Sequence, residues 1–222
     1  MTGRLRTPAP GKVNLCLFLG PARADGRHEL VTVFESVSLA DELELTVLPG
    51  DAGSDQVVCA GVEGPNLVAD ALAALRAAGW DAPPVRIEIT KRIPVAAGMG
   101  GGSADAAAAL RLAHGLEPLA EGLALRVARE LGADVPSQLE PGLSLGTGAG
   151  EIVRRLQPLD EHAFVVVPQP FGLSTAAVYA EADRLGLPRP SLDGMGERVL
   201  AAAAGGRLPP ETVVNDLEPA AL

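Results

Sequence analysis

A run of glycines is the segment of the sequence best suited to chemistry. Residues 94–104 read Pro-Val-Ala-Ala-Gly-Met-Gly-Gly-Gly-Ser-Ala, between a predicted strand and a predicted helix. Glycines let a backbone approach a ligand closely, and the first N–H groups and the positive end of a helix attract anions. The segment therefore predicts a phosphate-binding loop, although it matches neither the Walker A pattern nor G-x-G-x-x-G. A flexible turn before an alanine-rich helix is the simpler alternative.

Two shorter motifs offer a cation and a carboxylate. Lys12 and Asn14 stand two residues apart in Pro-Gly-Lys-Val-Asn, so on a strand both side chains point to one face. Asp134 lies in Leu-Gly-Ala-Asp-Val-Pro, after a glycine that ends a predicted helix. A positioned carboxylate with a cation fits phosphoryl transfer. Taken alone, the first motif also fits a solvated sheet face and the second an ordinary turn.

The lysine count bears on these candidates. Of the 18 basic residues only two are lysines, Lys12 and Lys91, and the rest are arginines. A coding bias that replaces interchangeable lysines would leave those lysines whose compact ammonium group arginine cannot imitate. Chance survival is the alternative for either residue.

Composition excludes several classes of protein. The chain of 222 residues carries 28 acidic and 18 basic residues, a net charge of −10, which argues against general nucleic-acid binding. Hydrophobic residues make up 47% and charged residues 21%, as in a globular protein. The two cysteines and three histidines show no metal-ligand spacing. Without an apolar leader or a run of membrane length, we expect a cytoplasmic protein.

The hydrophobic patterns predict an α+β chain rather than a regular βαβ alternation. Strands are predicted at 5–9, 12–20, 30–39, 42–48, 56–60, 85–90, 143–145, 152–156 and 163–167, and a turn at Ala40 and Asp41 is predicted to separate the third from the fourth. Helices are predicted at 67–78, 103–113, 120–131, 174–185 and 192–203. Asn66 is expected to cap the first helix. Strict alternation along 12–20 places Val13, Leu15, Leu17 and Leu19 on one face, which is expected to be the buried one.

Together, four motifs resemble those of the GHMP kinase superfamily. They are Pro-Gly-Lys-Val-Asn at 10–14, Ala-Asp-Gly-Arg-His at 24–28, the glycine-rich segment at 94–105 and Leu-Gly-Ala-Asp-Val-Pro at 131–136. Within that superfamily they are most similar to the 4-diphosphocytidyl-2-C-methyl-D-erythritol kinases of non-mevalonate isoprenoid synthesis. The resemblance runs in order over essentially the whole chain.

The resemblance implies a GHMP kinase fold in two domains. Residues 1–158 would form the ATP-binding, catalytic domain, which is like the second domain of ribosomal protein S5. Residues 159–222 would form an incomplete ferredoxin-like domain, because the chain ends before the third glycine-rich motif of the family. The implied activity is phosphorylation of the 2-hydroxyl of the CDP-linked methylerythritol by ATP with Mg²⁺, with no nucleic-acid or membrane partner.

The resemblance also assigns roles to individual residues. Lys12 and Asp134 would be the catalytic pair, in which Asp134 accepts the proton of the attacking hydroxyl and Lys12 polarises both groups. The residues assigned to ATP are Pro94, Val95, Ala96, Ala97, Gly98, Met99, Gly100, Gly101, Gly102, Ser103, Ala104 and Asn66. Those assigned to the phosphate acceptor are Asn14, Arg27, His28, Phe34, Thr175 and Tyr179, with Arg27 in the place of a tyrosine that stacks on the cytosine.

Two alternatives stay open. The chain could be another GHMP kinase, of the homoserine or mevalonate type, against which the Ala-Asp-Gly-Arg-His segment speaks. It could also be a nucleotide-binding fragment without catalysis, since the third motif is missing.

Overall fold

The computed structural model describes residues 4–50, 52–167, 172 and 174–222, which divide into two compact units. The first unit contains the described residues of 1–11, 37–94 and 100–140. The second contains those of 12–36, 95–99 and 141–222. The boundary between family domains near residue 158 remains a prediction, because this division reflects compactness alone.

Two long strands, β1 (Arg4–Ala22) and β2 (His28–Val47), run from one unit into the other. The predicted interruption of β2 by a turn at residues 40–41 is wrong. Asp41 is buried, and its Oδ1 atom accepts the backbone N–H groups of Arg92 and Ile93 at 2.5 and 2.8 Å. These bonds provide the buried carboxylate with hydrogen-bond donors. The strand can therefore continue through Asp41, although aspartate is common in turns.

Four shorter strands complete the sheet, and two of them, β4 and β5, pair directly with β2. The four are β3 (Gln56–Cys59), β4 (Val85–Thr90), β5 (Leu143–Thr147) and β6 (Ile152–Arg155). In the first unit, residues 42–47 of β2 lie antiparallel to β4, which is parallel to β3. In the second unit, residues 32–35 of β2 lie antiparallel to β5, which is antiparallel to β6. The predicted strand at 163–167 is wrong, because these residues form none.

The five predicted helices are confirmed, with shifted ends, as α1 (Leu67–Ala77), α2 (Gly101–Leu116), α3 (Leu123–Leu131), α5 (Thr175–Leu185) and α6 (Met195–Ala203). The structure also contains two short helices, α4 (Val135–Gln138) and α7 (Glu218–Ala221), and a 3₁₀ helix at Pro210–Thr212. The start of α2 lies two residues before the predicted one, so the helix begins within the glycine run itself.

The core of the first unit is built around the alanine-rich helix α2. The side chains of residues 106–109, all alanines, are fully buried. They belong to one apolar cluster with Leu72 and Leu75 of α1 and Ile87 of β4. Because methyl groups are small, a helix rich in them can pack closely against its neighbours. Ala104, in the first turn of α2, belongs to the same cluster, which therefore also fixes the start of the helix where the glycine run ends.

In the second unit, β1 is buried on both faces. Cys16 and Phe18 belong to an apolar cluster with Val33 of β2, whereas Leu17 and Leu19 belong to another cluster. The predicted one-sided burial of this strand is therefore wrong. Alternation of apolar and polar residues is typical of a strand with one face exposed to water. In β1 the second face carries Cys16 and Phe18, which are apolar as well, so both faces are buried.

Asn66 caps α1 as predicted. Its side chain accepts the N–H group of Val68 at 2.9 Å, and its own backbone is extended, with φ of −132°.

We expect Asn66→Ala to lower the free energy of unfolding by about 1 kcal/mol, measured by urea denaturation. Asn66→Asp, which keeps the accepting oxygen, should lose only a small part of this. Equal stabilities of the two variants would contradict the cap.

Candidate active site

Lys12 is held in the second unit by a chain of hydrogen bonds. Its Nζ atom donates to Oδ1 of Asn14 at 2.7 Å, and Nδ2 of Asn14 donates to Oγ1 of Thr32 at 2.7 Å. The Thr32 hydroxyl donates its proton to the carbonyl of Cys16 at 2.6 Å, so it can only accept from Asn14. This order turns the Asn14 carbonyl toward the ammonium group. Since Lys12 is only 8% exposed, the alternative of a solvated sheet face is wrong.

Phe34 completes the surroundings of Lys12. The Lys12 ammonium lies 5.8 Å from the centroid of the buried Phe34 ring, within the range of a cation–π contact. A Cβ atom at Gly146 would come within 2.5 Å of Cε2 of Phe34, so only glycine leaves room for the ring there. The backbone N–H group of Lys12 donates to the carbonyl of Met99 at 2.9 Å. The structure thus brings together Lys12, Asn14, Phe34 and one residue of the glycine run.

The end of the glycine run supplies the first N–H groups of α2. Gly98 and Gly100 have φ of 72° and 65°, in the left-handed region that favours glycine. The first helical bond of α2 joins the N–H of Ala104 to the carbonyl of Gly100 at 2.8 Å. The N–H groups of residues 101–103 therefore precede the helical ladder. The first turn, Gly-Gly-Ser-Ala, carries no charge. This arrangement suits an anion.

Asp134 lies in the first unit, at the start of the short helix α4. It is half-buried, and its backbone carbonyl accepts the hydroxyl of Ser137 at 2.8 Å. Gly132 ends α3 two residues earlier, so the turn and α4 together fix the backbone that carries the carboxylate. The catalytic pairing of Asp134 with Lys12 remains a prediction.

His28, at the start of β2, meets α5 in the second unit. The buried imidazole is hydrogen-bonded through Nε2 to Oδ1 of Asp183 at 2.8 Å. Its ring centroid lies 5.5 Å from that of Tyr179, with the planes tilted by 33°. Asp183 was missed by the sequence analysis. The spacing of four residues from Tyr179 on a predicted helix was the available signal, since it places both side chains on one face.

The other predicted residues lie in separate local settings. Arg27 is in an exposed loop, where its guanidinium donates to the Asp25 carboxylate at 3.0 Å. Thr175 is the exposed first residue of α5. Asn66 caps α1, as described above. Roles for these three residues in binding a ligand remain predictions.

The described ranges, 4–50, 52–167, 172 and 174–222, contain neither a candidate metal cluster nor a candidate membrane-spanning helix. Within them, no group of three or more histidine, cysteine, aspartate or glutamate residues could hold a metal ion. No helix in these ranges combines the length and the apolar character needed to cross a bilayer. Both cysteines are free, and burial raises the pKa of Cys16 to about 11, so that thiol stays protonated.

Comparison with known proteins identifies the class of this site. Residues 66–149, which include the glycine run, α2 and Asp134, match the family model of the GHMP kinases N terminal domain. A crystal structure of a 4-(cytidine 5'-diphospho)-2C-methyl-D-erythritol kinase superposes with a TM-score of 0.73 at 36% sequence identity. That match covers 98% of this chain and 77% of the other. The fold is therefore that of the GHMP kinases, as predicted.

Curated relatives narrow the class to one family. The 4-diphosphocytidyl-2-C-methyl-D-erythritol kinase of Corynebacterium efficiens is 42% identical over 99% of this chain and 74% of its own length. The protein with that name from Mycolicibacterium gilvum is 44% identical over the whole of this chain and 72% of its own. This chain belongs to the 4-diphosphocytidyl-2-C-methyl-D-erythritol kinase family and is a kinase.

Proposed function

We propose that this chain is a cytoplasmic kinase that transfers the γ-phosphate of ATP to the 2-hydroxyl of 4-diphosphocytidyl-2-C-methyl-D-erythritol. The observation that carries the proposal is the buried ammonium of Lys12, fixed by Asn14 while its own backbone bonds to Met99 of the glycine run. A fixed cation and a loop suited to phosphates are both required by a transferring phosphoryl group. The residues 1–158 and 159–222 would form the two domains of the family.

In the proposed reaction, the 2-hydroxyl oxygen attacks the γ-phosphorus and the bond to the bridging oxygen of ADP breaks. Asp134 accepts the hydroxyl proton, and Lys12 stabilises the charge on the transferring group. The first N–H groups of α2 hold phosphate oxygens. Mg²⁺ would enter with ATP as part of the substrate, because phosphate oxygens and water are among its preferred ligands.

The cytosine would bind near His28 and Tyr179. Tyr179 offers an aromatic face, and Arg27 could stack on the opposite side of the base. Because Asp183 is an acceptor, it favours the tautomer of His28 that carries the proton on Nε2. The other ring nitrogen, Nδ1, is then an acceptor, which suits the amino group of cytosine. Asn14, Phe34 and Thr175 would line the rest of the acceptor site.

An ADP-release assay with three acceptors tests the proposed substrate. We expect turnover with the CDP-linked methylerythritol and none above background with mevalonate or homoserine. Discrimination arises because neither smaller acceptor carries a base for Tyr179 and His28 to bind. Preferred turnover of either smaller acceptor would assign the chain to a different kinase activity, and silence with all three would leave a nucleotide-binding fragment.

Asp134→Asn tests the proposed base. The amide keeps the shape of the carboxylate but cannot take the hydroxyl proton, so kcat should fall about 10²–10⁴-fold with KM for the acceptor little changed. Single-turnover kinetics after a thermal melt would measure this. Lys12→Arg is the companion variant, and its wide guanidinium should also lose most turnover. Turnover of Asp134→Asn within a few-fold of the unaltered protein would place the base elsewhere.

Tyr179→Ala tests the proposed base-binding surface. Since stacking on a base contributes about 1–3 kcal/mol, KM for the CDP-linked acceptor should rise about tenfold while KM for ATP stays constant. Tyr179→Phe keeps the aromatic face, so its KM for the CDP-linked acceptor should rise much less than that of Tyr179→Ala. Equal rises in both Michaelis constants would contradict the assignment.

A further inference from the structure

A buried ion cluster lies in the first unit, outside the residues assigned so far. The ammonium of Lys91, just after β4, is paired with Asp41 of β2 and lies 2.8 Å from Oδ2 of Asp105 on α2. The Asp41 and Asp105 side chains are 0% and 6% exposed, and that of Lys91 is 17% exposed. One ammonium group therefore joins three elements of the unit.

Asp41 fixes the chain that enters the glycine run. While its Oδ2 atom holds Lys91, its Oδ1 atom accepts the backbone N–H groups of Arg92 and Ile93. A single carboxylate thus holds the side chain of one residue and the backbone of the next two. Residues 91–93 cannot change direction without breaking several of these bonds.

Asp105 and Gly101 tie the same ammonium to the helix that leaves the glycine run. Asp105 lies in the second turn of α2 and bonds to Lys91. A Cβ atom at Gly101 would lie 3.2 Å from Nζ of Lys91, so the ammonium abuts the first turn. Lys91 is therefore in contact with both ends of the segment that contains the glycines.

Stability alone is a weak reason for such a cluster. Removing charges from water costs free energy, and apolar replacements of buried ion pairs are often as stable. Burial raises the pKa of Asp105 to about 7 although Lys91 opposes the shift, so this carboxyl group is costly to keep ionised. For Lys91, burial lowers the pKa, but the bonds to Asp105 and Asp41 outweigh it and the net shift is upward. The ammonium stays charged.

We propose that Lys91 is a positioning residue for the nucleotide, which fixes residues 91–93 and 101–105 on either side of the glycine loop through Asp41 and Asp105. The N–H groups at the start of α2 then keep one direction before the phosphates arrive, and binding loses less conformational entropy. This role rests on the proposed function, because it concerns the same phosphate-binding loop.

Two variants remove the tie in different ways. Lys91→Met deletes the ammonium but leaves two buried carboxylates together. Asp105→Leu frees α2 while the balanced pair of Lys91 and Asp41 remains, so it should melt at the temperature of the unaltered protein or above. We expect each folded variant to bind the non-hydrolysable ATP analogue AMP-PNP at least tenfold more weakly by calorimetry. KM for ATP should rise in parallel, while KM for the acceptor stays within twofold.

Arg76→Met is the matched control. Arg76 of α1 forms another partly buried ion pair in the first unit, with Asp55 at 2.8 Å, and also donates to carbonyls before β4. Its loss should lower the melting temperature without weakening AMP-PNP binding. Binding by Asp105→Leu within twofold of the unaltered protein, or an equal loss in the Arg76 control, would overturn the positioning role. Failure of the unaltered protein to bind AMP-PNP would instead overturn the proposed function and this role with it.

Discussion

A buried ammonium group must have its protons bonded inside the protein, and the structure around Lys12 is organised by that requirement. Burying an unpartnered charge would cost several kcal/mol at least, so Asn14 has to present its carbonyl to Lys12. Thr32 fixes this orientation of Asn14. The Thr32 hydroxyl donates its one proton to the carbonyl of Cys16, so it can only accept a hydrogen bond from the amide NH₂ group of Asn14. These residues lie on β1 and β2, so the pairing of the two strands sets the position of the proposed catalytic cation.

The same requirement explains which parts of the fold the sequence could predict. Helix α1 and strand β4 follow from local signals, a capping asparagine and strict alternation, and both are confirmed. Asp41 was misjudged because its type favours turns, whereas its carboxylate is satisfied by the distant backbone of Arg92 and Ile93. These backbone groups lie 51 and 52 residues after Asp41 in the sequence. The local hydrophobic pattern around Asp41 therefore cannot indicate them.

Prediction of the site shows the same limit. The glycine run and Lys12 became candidates because their types have few structural uses at that spacing. The family that they indicated is confirmed, whereas their roles in the site remain predictions. Asp183 and the ion cluster of Lys91 were not found as contacts. Each of these contacts joins a carboxylate to a histidine or lysine that is distant in sequence. Such a contact exists only in the folded chain, so a single sequence does not reveal it.

The chain carries a net charge of −10 and yet belongs to a family of kinases that handle phosphates. Two features reconcile these facts without a basic surface. Backbone N–H groups at the start of α2 supply positive potential that no side-chain count includes. In addition, nearby carboxylates are paired, since Lys91 binds both Asp41 and Asp105 below the first turn of that helix. Lys91 offsets one of these two charges, and burial raises the pKa of Asp105 to about 7. The helix start therefore remains attractive to an anion. A site built from backbone dipoles needs few ammonium groups, provided that each one is held in a fixed position.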